Sequence, residues 1–472
     1  MKDKISQTCD YILDRIERGE YKVGEAIPAA RKLAQEVGAS FAIVQHAVTV
    51  LSNAGILRSI SRQGSVVREE WQSALMANHL VLFNRESKLL WVPGFRKLLA
   101  EKMPELRLCR AFQHGMFELR PTLDVQQHRN EYLDLAPYFN ELFPDSSQFF
   151  DFPFQYFKNP DGSMFAVPFI FSPRVIFYNR TVLRQNSCPE PQPGWYWNDF
   201  IAVLKHLKQT IPSSMILNYN SAPFFWINFV FRCGGSLLEQ DPENPVKIDS
   251  PETMAGIRAV RELAGILEKQ EPCFSYLDSF VSGKTAFLLS EREILCYLKH
   301  RNFDDWGVVP MPRMPGGKNL MAQATDLLCV RKECVDPEMI RDFLAFMLSE
   351  KVQDYIAEEK YGIPIRKSSA CKTIDMTDER DLLFLSEMDH MSAEYNLDSP
   401  ELMELIQNGI SQIIQEQDKP LEKSLERLAD AVRIFLEIKR KKNRQAYKKQ
   451  PGEYHGKELG NKKNPREVLY SY

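Results

Sequence analysis

The segment from Tyr21 to Val67, YKVGEAIPAARKLAQEVGASFAIVQHAVTVLSNAGILRSISRQGSVV, constrains this chain more than any other. Gly38 ends one apolar-periodic stretch and Ser40 starts the next. Glycine tolerates the left-handed backbone that closes a helix, and a serine hydroxyl accepts a bond from an unpaired amide at the start of one. Upstream, Ile5, Cys9, Ile12, Leu13 and Ile16 recur at helical spacing. Ile27-Pro28 is expected to open the second helix, with Leu33, Ala34 and Val37 inward. The third helix buries Val44, Ala47, Val48 and Leu51, which turns Phe41, Ala42, Gln45, His46 and Thr49 outward, and Gly55 ends it. Ile56-Leu57-Arg58 and Ser65-Val66-Val67 alternate like a hairpin around Arg62-Gln63-Gly64. Helices followed by a basic-tipped ribbon suit the laying of one helix in a DNA groove.

This stretch resembles the GntR-type winged helix-turn-helix, whose pattern runs G-x-x-L-P-S-x-R-x-L-A, then G-V-S-R-x-T-V-R-x-A-L-x-x-L, then G-L and G-T-x-V. Gly24, Ile27, Pro28, Arg31, Leu33, Ala34, Gly38, Ser40, Val44, Ala47, Val48, Leu51, Gly55, Ile56, Gly64, Ser65 and Val67 fall on it. The departures matter as much. Phe41, Ile43 and Gln45 stand where the family has Arg, Thr and Arg, so the third helix carries no Lys or Arg. Phosphate contacts supply most salt-dependent affinity, so they are expected from Arg31, Lys32, Arg58 and Arg62 instead. Gln45 and His46 are candidates to read base edges, with Ser40, Phe41 and Gly64 completing the contact surface. Such modules commonly dimerise on two half-sites, which implies a homodimer on a pseudo-palindromic double-stranded operator.

At 472 residues the chain is too long for one core and divides into roughly two to four domains. A net charge of -3 does not advertise nucleic acid, so any DNA-binding charge is local. Residues 1–68 hold ten Lys and Arg against seven Asp and Glu. The nine cysteines have no CxxC spacing and read as reduced thiols. There is no apolar leader and no run near the ~20 apolar residues of a membrane helix, so a cytoplasmic protein without a membrane partner is expected.

After a polar connector (71–78), His79 to Phe83, Phe95 to Lys102 and Leu106 to Cys109 read as strand, helix and strand, which implies a parallel sheet. Further motifs follow: LDLAPYF from Leu133, DGSMFAVPFIFSPRVIFYNRTVL from Asp161, WNDFIAVLKHL from Trp197, CGGSLLEQDPENPVKIDSPETMAGIRAVREL from Cys233, FVSGKTAFLLSE from Phe280, WGVVPMPRMPGG from Trp306 and IRDFLAFMLSEKVQDYIAEEKYGIPIRK from Ile340. In this order they resemble the family 1 extracellular solute-binding proteins, the maltose-binding-protein-like group that serves sugar ABC transporters. The resemblance implies two α/β lobes of the periplasmic-binding-protein type II kind over residues 79–440, behind a winged helix-turn-helix over residues 1–70. It also implies a small carbohydrate ligand held in the cleft.

Sugars need an aromatic platform and a few fixed polar groups in a cleft that excludes water. Phe225 and Trp226, ahead of Gly234-Gly235, are the expected platform, because the resemblance places the pocket aromatic there. Trp195 and Trp197 read as structural. Phe83 and Asn84 follow the first strand, Glu291 follows the strand after Gly283, and Asp326 follows Ala324-Thr325, where the family often has a glycine pair. An amphipathic helix from Pro420 to Ile438 precedes a basic tail, 441–472, expected to be disordered. A glycosidase needs two positioned carboxylates, and the chain has many Asp and Glu but no catalytic motif, P-loop, HExxH or metal-ligand cluster, so no enzyme, cofactor, catalytic residue or metal is expected. The economical combination is a one-component transcription regulator that senses a sugar. The alternative is a regulator whose binding-protein part serves as a dimerisation or protein-contact module.

Overall fold

The computed structural model describes residues 2–448 except 62, 72–78, 83–89, 105, 110–114, 160, 220–221, 240, 242, 269–274, 335 and 393–398. The head consists of α1 (Lys2–Glu17), α2 (Ala30–Val37), α3 (Phe41–Asn53) and a ribbon of β1 (Leu57–Ile60) and β2 (Gly64–Val67). Leu57 pairs with Val67 and Ile60 with Gly64, antiparallel. Cys9, Ile12, Leu13, Ile16, Leu33, Val44, Ala47, Leu51 and Trp71 share one core. Ser40 caps α3 by accepting from the Ile43 amide at 3.4 Å, and Gly38 closes α2 at φ 66°. Pro28 lies ahead of α2 rather than in its first turn, because the helix starts at Ala30 without a side-chain cap. Val48 is half-buried rather than core.

The remaining strands are β3 (His79–Leu82), β4 (Arg107–Cys109), β5 (Phe117–Pro121), β6 (Val167–Ser172), β7 (Arg174–Asn179), β8 (Phe287–Glu291), β9 (Trp306–Val309), β10 (Met321–Ala322), β11 (Ala324–Val330), β12 (Ile363–Pro364) and β13 (Met391–Ser392). Lobe 1 is built on the sheet β12-β6-β11-β5-β3-β4. Its half next to β3 is parallel, as expected. The other half is antiparallel, because β11 enters from the second lobe and runs against both β5 and β6. Lobe 2 is built on β8-β7-β9, antiparallel throughout. Ile176, Phe287 and Val309 face its large helical core, while Val175, Phe177, Leu288 and Val308 face a second, smaller cluster.

Ser250 caps the helix Pro251–Ile266 and Asp336 caps the helix Pro337–Met347, each with proline in the first turn. Gly283, at φ 72°, separates the helix Ser275–Val281 from β8. The last described helix spans Leu421–Lys448, well past Ile438, so residues 441–448 of the expected tail are helical, and the rest of that tail, 449–472, lies outside the described residues. Cations are favoured at a helix C-terminus, and Lys441 also pairs with Glu437 at 2.7 Å.

Candidate functional site

Two regions carry chemistry: one face of the head, and the junction between the lobes. On the head, Arg31, Lys32, Ser40, Phe41, Gln45, His46, Arg58 and Gly64 are all exposed. Burial of Val44, Ala47 and Leu51 leaves the opposite stripe of α3 to solvent. Thr49 is held by its own helix, donating to the Gln45 carbonyl at 2.9 Å. Phe41 is 45% exposed, an open aromatic at the start of α3. Gly64, at φ 93°, makes the ribbon turn that a side chain would strain. Arg62 lies outside the described residues. The exposed basic residues Arg31 and Lys32 thus come from α2 and Arg58 from β1, while α3 itself exposes no Lys or Arg.

The lobes are joined where Pro173 links β6 to β7 and Gln323 links β10 to β11. At this crossing Ser172 pairs with Ala324, and Arg174 with Glu291. Glu291 is half-buried with Arg174 Nε 3.9 Å from its carboxylate. Asp326, on the lobe 1 side, accepts from the Tyr361 hydroxyl at 2.6 Å. These two predicted residues thus flank one crossing. Phe83 and Asn84 lie outside the described residues.

The predicted platform does not form. Phe225 and Trp226 are both 0% exposed and belong to the lobe 2 core. Phe225 packs edge-on against Tyr219 at 5.4 Å and tilts against Phe229 at 5.5 Å. The cause is the helix Pro223–Arg232, which is apolar on nearly every side. It is locked by Asn228, which accepts from the Ala322 amide at 3.0 Å and donates to the Phe224 carbonyl at 2.7 Å. Phe224 alone of the three aromatics is half-buried, and the Arg174 guanidinium lies 6.0 Å from its ring centre. Trp195 and Trp197 are structural, as expected: the indole of Trp195 donates to the Pro310 carbonyl and that of Trp197 to Glu262.

Comparison with known proteins decides the family. Residues 111–381, more than half of the chain, match the family described as bacterial extracellular solute-binding protein. The chain belongs to that family. Residues 4–67 match bacterial regulatory proteins of the gntR family, so the head is a gntR domain fused to a solute-binding domain. Solved structures agree on the fold. The GacH receptor of Streptomyces glaucescens, solved unliganded and with acarbose, is 16% identical at a TM-score of 0.62, covering 76% of this chain and 98% of its own. A solute-binding protein from Thermotoga lettingae bound with alpha-D-tagatose is 13% identical at 0.64, covering 75% and 98%. Maltose-bound MalE3 of T. maritima is 15% identical at 0.62, covering 75% and 99%. No curated protein matches the chain. Among the described residues, no helix is long and apolar enough to cross a membrane.

The solute-binding domain also has a hinge anchor that sequence reading missed. Arg292, directly after β8, is fully buried. It donates to the Gly362 carbonyl at 3.2 Å, to the Thr373 hydroxyl and carbonyl at 2.9 and 2.8 Å, and to Asp381 at 2.6 Å. Burial draws this guanidinium below its ordinary pKa, and the Asp381 carboxylate opposes that pull. Its amide is bonded to Ser172 Oγ at 2.8 Å, so the residue ties lobe 2 to the crossing itself. Nothing local in Ser290-Glu291-Arg292-Glu293 announces partners 70 to 89 residues away.

Proposed function

We propose that this protein is a carbohydrate-responsive, one-component transcription regulator. The gntR head binds double-stranded operator DNA as one half of a homodimer, and a small sugar in the solute-binding cleft sets its affinity. Arg31, Lys32, Arg58 and Arg62 contact phosphate, while Gln45 and His46 read base edges beside Ser40, Phe41 and Gly64. In the cleft, Phe83, Asn84, Glu291 and Asp326 supply edges and hydroxyl partners. Phe224 takes the stacking role in place of its buried neighbours.

The observation that carries this reading is a line of contacts from the crossing to the head. Asp326 bonds Tyr361, whose ring lies 5.1 Å from that of Trp91. Trp91 directly precedes the helix Val92–Lys102, and Arg96 of that helix pairs with Asp10 on α1 of the head. A ligand that binds open and closed lobes with different affinity thereby shifts the head, with a typical coupling of about 1–3 kcal/mol.

The test is a thermal-shift screen of the full chain against mono- and oligosaccharides, followed by operator titration with and without each hit. Binding to the native state raises its melting temperature. A second reading, a regulator whose solute-binding domain is a dimerisation or protein-contact module, draws on the burial of Phe225 and Trp226 and the engagement of Asp326 by Tyr361. No shift with any sugar at millimolar concentration selects that second reading.

A further inference from the structure

We propose that Cys296, His300 and Glu359 form a transition-metal site, zinc by chemical preference, that joins the two lobes behind the hinge. Cys296 and His300 are four residues apart on the helix Ile294–His300, so their side chains leave the same face. That helix belongs to lobe 2, since Ile294, Leu295, Tyr297 and Leu298 pack on its sheet. Glu359 directly follows the helix Glu350–Glu358, whose Val352 and Ile356 lie in the lobe 1 core.

The three side chains converge on one atom. Glu359 Oε2 lies 2.6 Å from His300 Nε2 and 3.9 Å from Cys296 Sγ, and all three ligand atoms fall within 4.8 Å of one another. The other carboxylate oxygen is taken by Lys299 Nζ at 3.1 Å, which also donates to the Glu358 carbonyl at 2.8 Å. The carboxylate is thus oriented to offer a single oxygen. Tetrahedral zinc, with bonds of about 2.3 Å to sulfur and about 2.0 Å to nitrogen and oxygen, sets its ligand atoms roughly 3.3–3.5 Å apart. The histidine contact must open and the cysteine contact close, each by under ~1 Å, and the sulfur-to-nitrogen gap, within 4.8 Å, must close to about 3.5 Å. The His300 side chain, 38% exposed, is free to make that adjustment, and it opens the site to entering metal.

The donor set selects the metal. One sulfur, one imidazole nitrogen and one carboxylate oxygen suit zinc and its analogue cobalt, whereas calcium and magnesium take oxygen. Three protein ligands leave a fourth position for water. Metal binding exchanges the Cys296 S–H bond for a metal–sulfur bond and releases that one proton to solvent. Sequence spacing hides the site because Glu359 is 59 residues from His300. Any effect on regulation rests on the reading of the lobes as ligand-responsive; binding of the metal does not.

The experiment is titration of the full chain with cobalt(II), followed by absorption and requiring neither sugar nor DNA. The expected result is a near-ultraviolet thiolate-to-cobalt charge-transfer band, lost in Cys296→Ser and with cobalt affinity weakened more than about tenfold in His300→Ala. Zinc should raise the melting temperature of the wild type and leave that of His300→Ala unchanged. His300 is exposed, so its variant keeps the fold. Absence of the band at saturating cobalt, or an undiminished band in Cys296→Ser, overturns the proposal. The second outcome assigns the metal to another thiol, such as the exposed Cys371.

Discussion

Arg96, on the helix Val92–Lys102 of lobe 1, forms an ion pair with Asp10 on α1 of the DNA-binding head, 86 residues earlier in the chain. Both side chains are partly exposed, 25% for Arg96 and 34% for Asp10. The contact is therefore solvent-screened and adds little to stability. It meets the head on the helix that backs α3, since Cys9 of α1 packs with Val44, Ala47 and Leu51. One helix, α1, therefore lies between lobe 1 and α3.

Asp10→Ala and Arg96→Ala, alone and together, define a double-mutant cycle. The coupling in global stability is expected at about 0.2–1 kcal/mol, as for other half-exposed pairs. The larger expected effect is on regulation: either single variant shrinks the ligand-dependent change in operator affinity. Denaturant unfolding and operator titrations with and without ligand measure the two quantities. Full retention of the ligand response in Arg96→Ala would show that the signal takes another route.

Arg31 on α2, Gln45 on α3 and Arg58 on β1 are all exposed. Arg31→Ala and Arg58→Ala are expected to weaken binding to all sequences alike and to reduce the salt slope by about one each. Arg62→Ala is expected to behave the same way. Gln45→Ala should instead relax preference at one base position by about 1–3 kcal/mol and leave the salt slope intact. Gel-shift titrations at several salt concentrations, on operator and scrambled DNA, separate the two classes of effect.

The head was readable because its signals are local. Gly38, Ser40 and Gly55 act within one turn of themselves, and the apolar period of α3 sorts its own faces. The two-lobed fold was readable as an order of motifs, and the caps at Ser250 and Asp336 as chemistry. The interior of the cleft was not. Pro223 to Arg232 is apolar nearly throughout, so no period singles out the aromatic that stays half-buried. That choice is set by tertiary contacts: Asn228 reaches Ala322, and Gly256 lets the Val230 backbone approach so closely that an added Cβ would sit 2.5 Å from it. The antiparallel half of the lobe 1 sheet was not legible for a related reason, since the partners of β11 depend on a crossing between lobes.

Phe225 and Phe224 should therefore separate stability from binding. Phe225→Ala removes a fully buried ring and is expected to cost about 3–5 kcal/mol in unfolding free energy. Phe224→Ala, at a half-buried position, is expected to cost far less and to weaken the response to a sugar hit. Urea unfolding and the thermal-shift assay provide both readings. Equal destabilisation by the two variants would mean that Phe224 is core as well, leaving the cleft without an aromatic from this helix.

Arg292 and Asp381 provide the sharpest test of the hinge. The guanidinium is fully buried and Asp381 is 2% exposed, so the pair exchanges two hydration shells for one another and for the carbonyls of Gly362 and Thr373. Replacing such a pair with well-packed apolar groups is often neutral, whereas removing one partner leaves a buried charge uncompensated. Asp381→Asn keeps the shape and removes the charge, and is expected to destabilise the chain by about 3–5 kcal/mol. Lys360, whose ammonium lies 3.8 Å from Asp381, is partly exposed and contributes less, so Lys360→Ala should change stability by under about 1 kcal/mol. Equilibrium urea unfolding distinguishes the two. If Asp381→Asn proves as mild as Lys360→Ala, the buried carbonyls alone hold Arg292, and the hinge is fixed by hydrogen bonds rather than by charge.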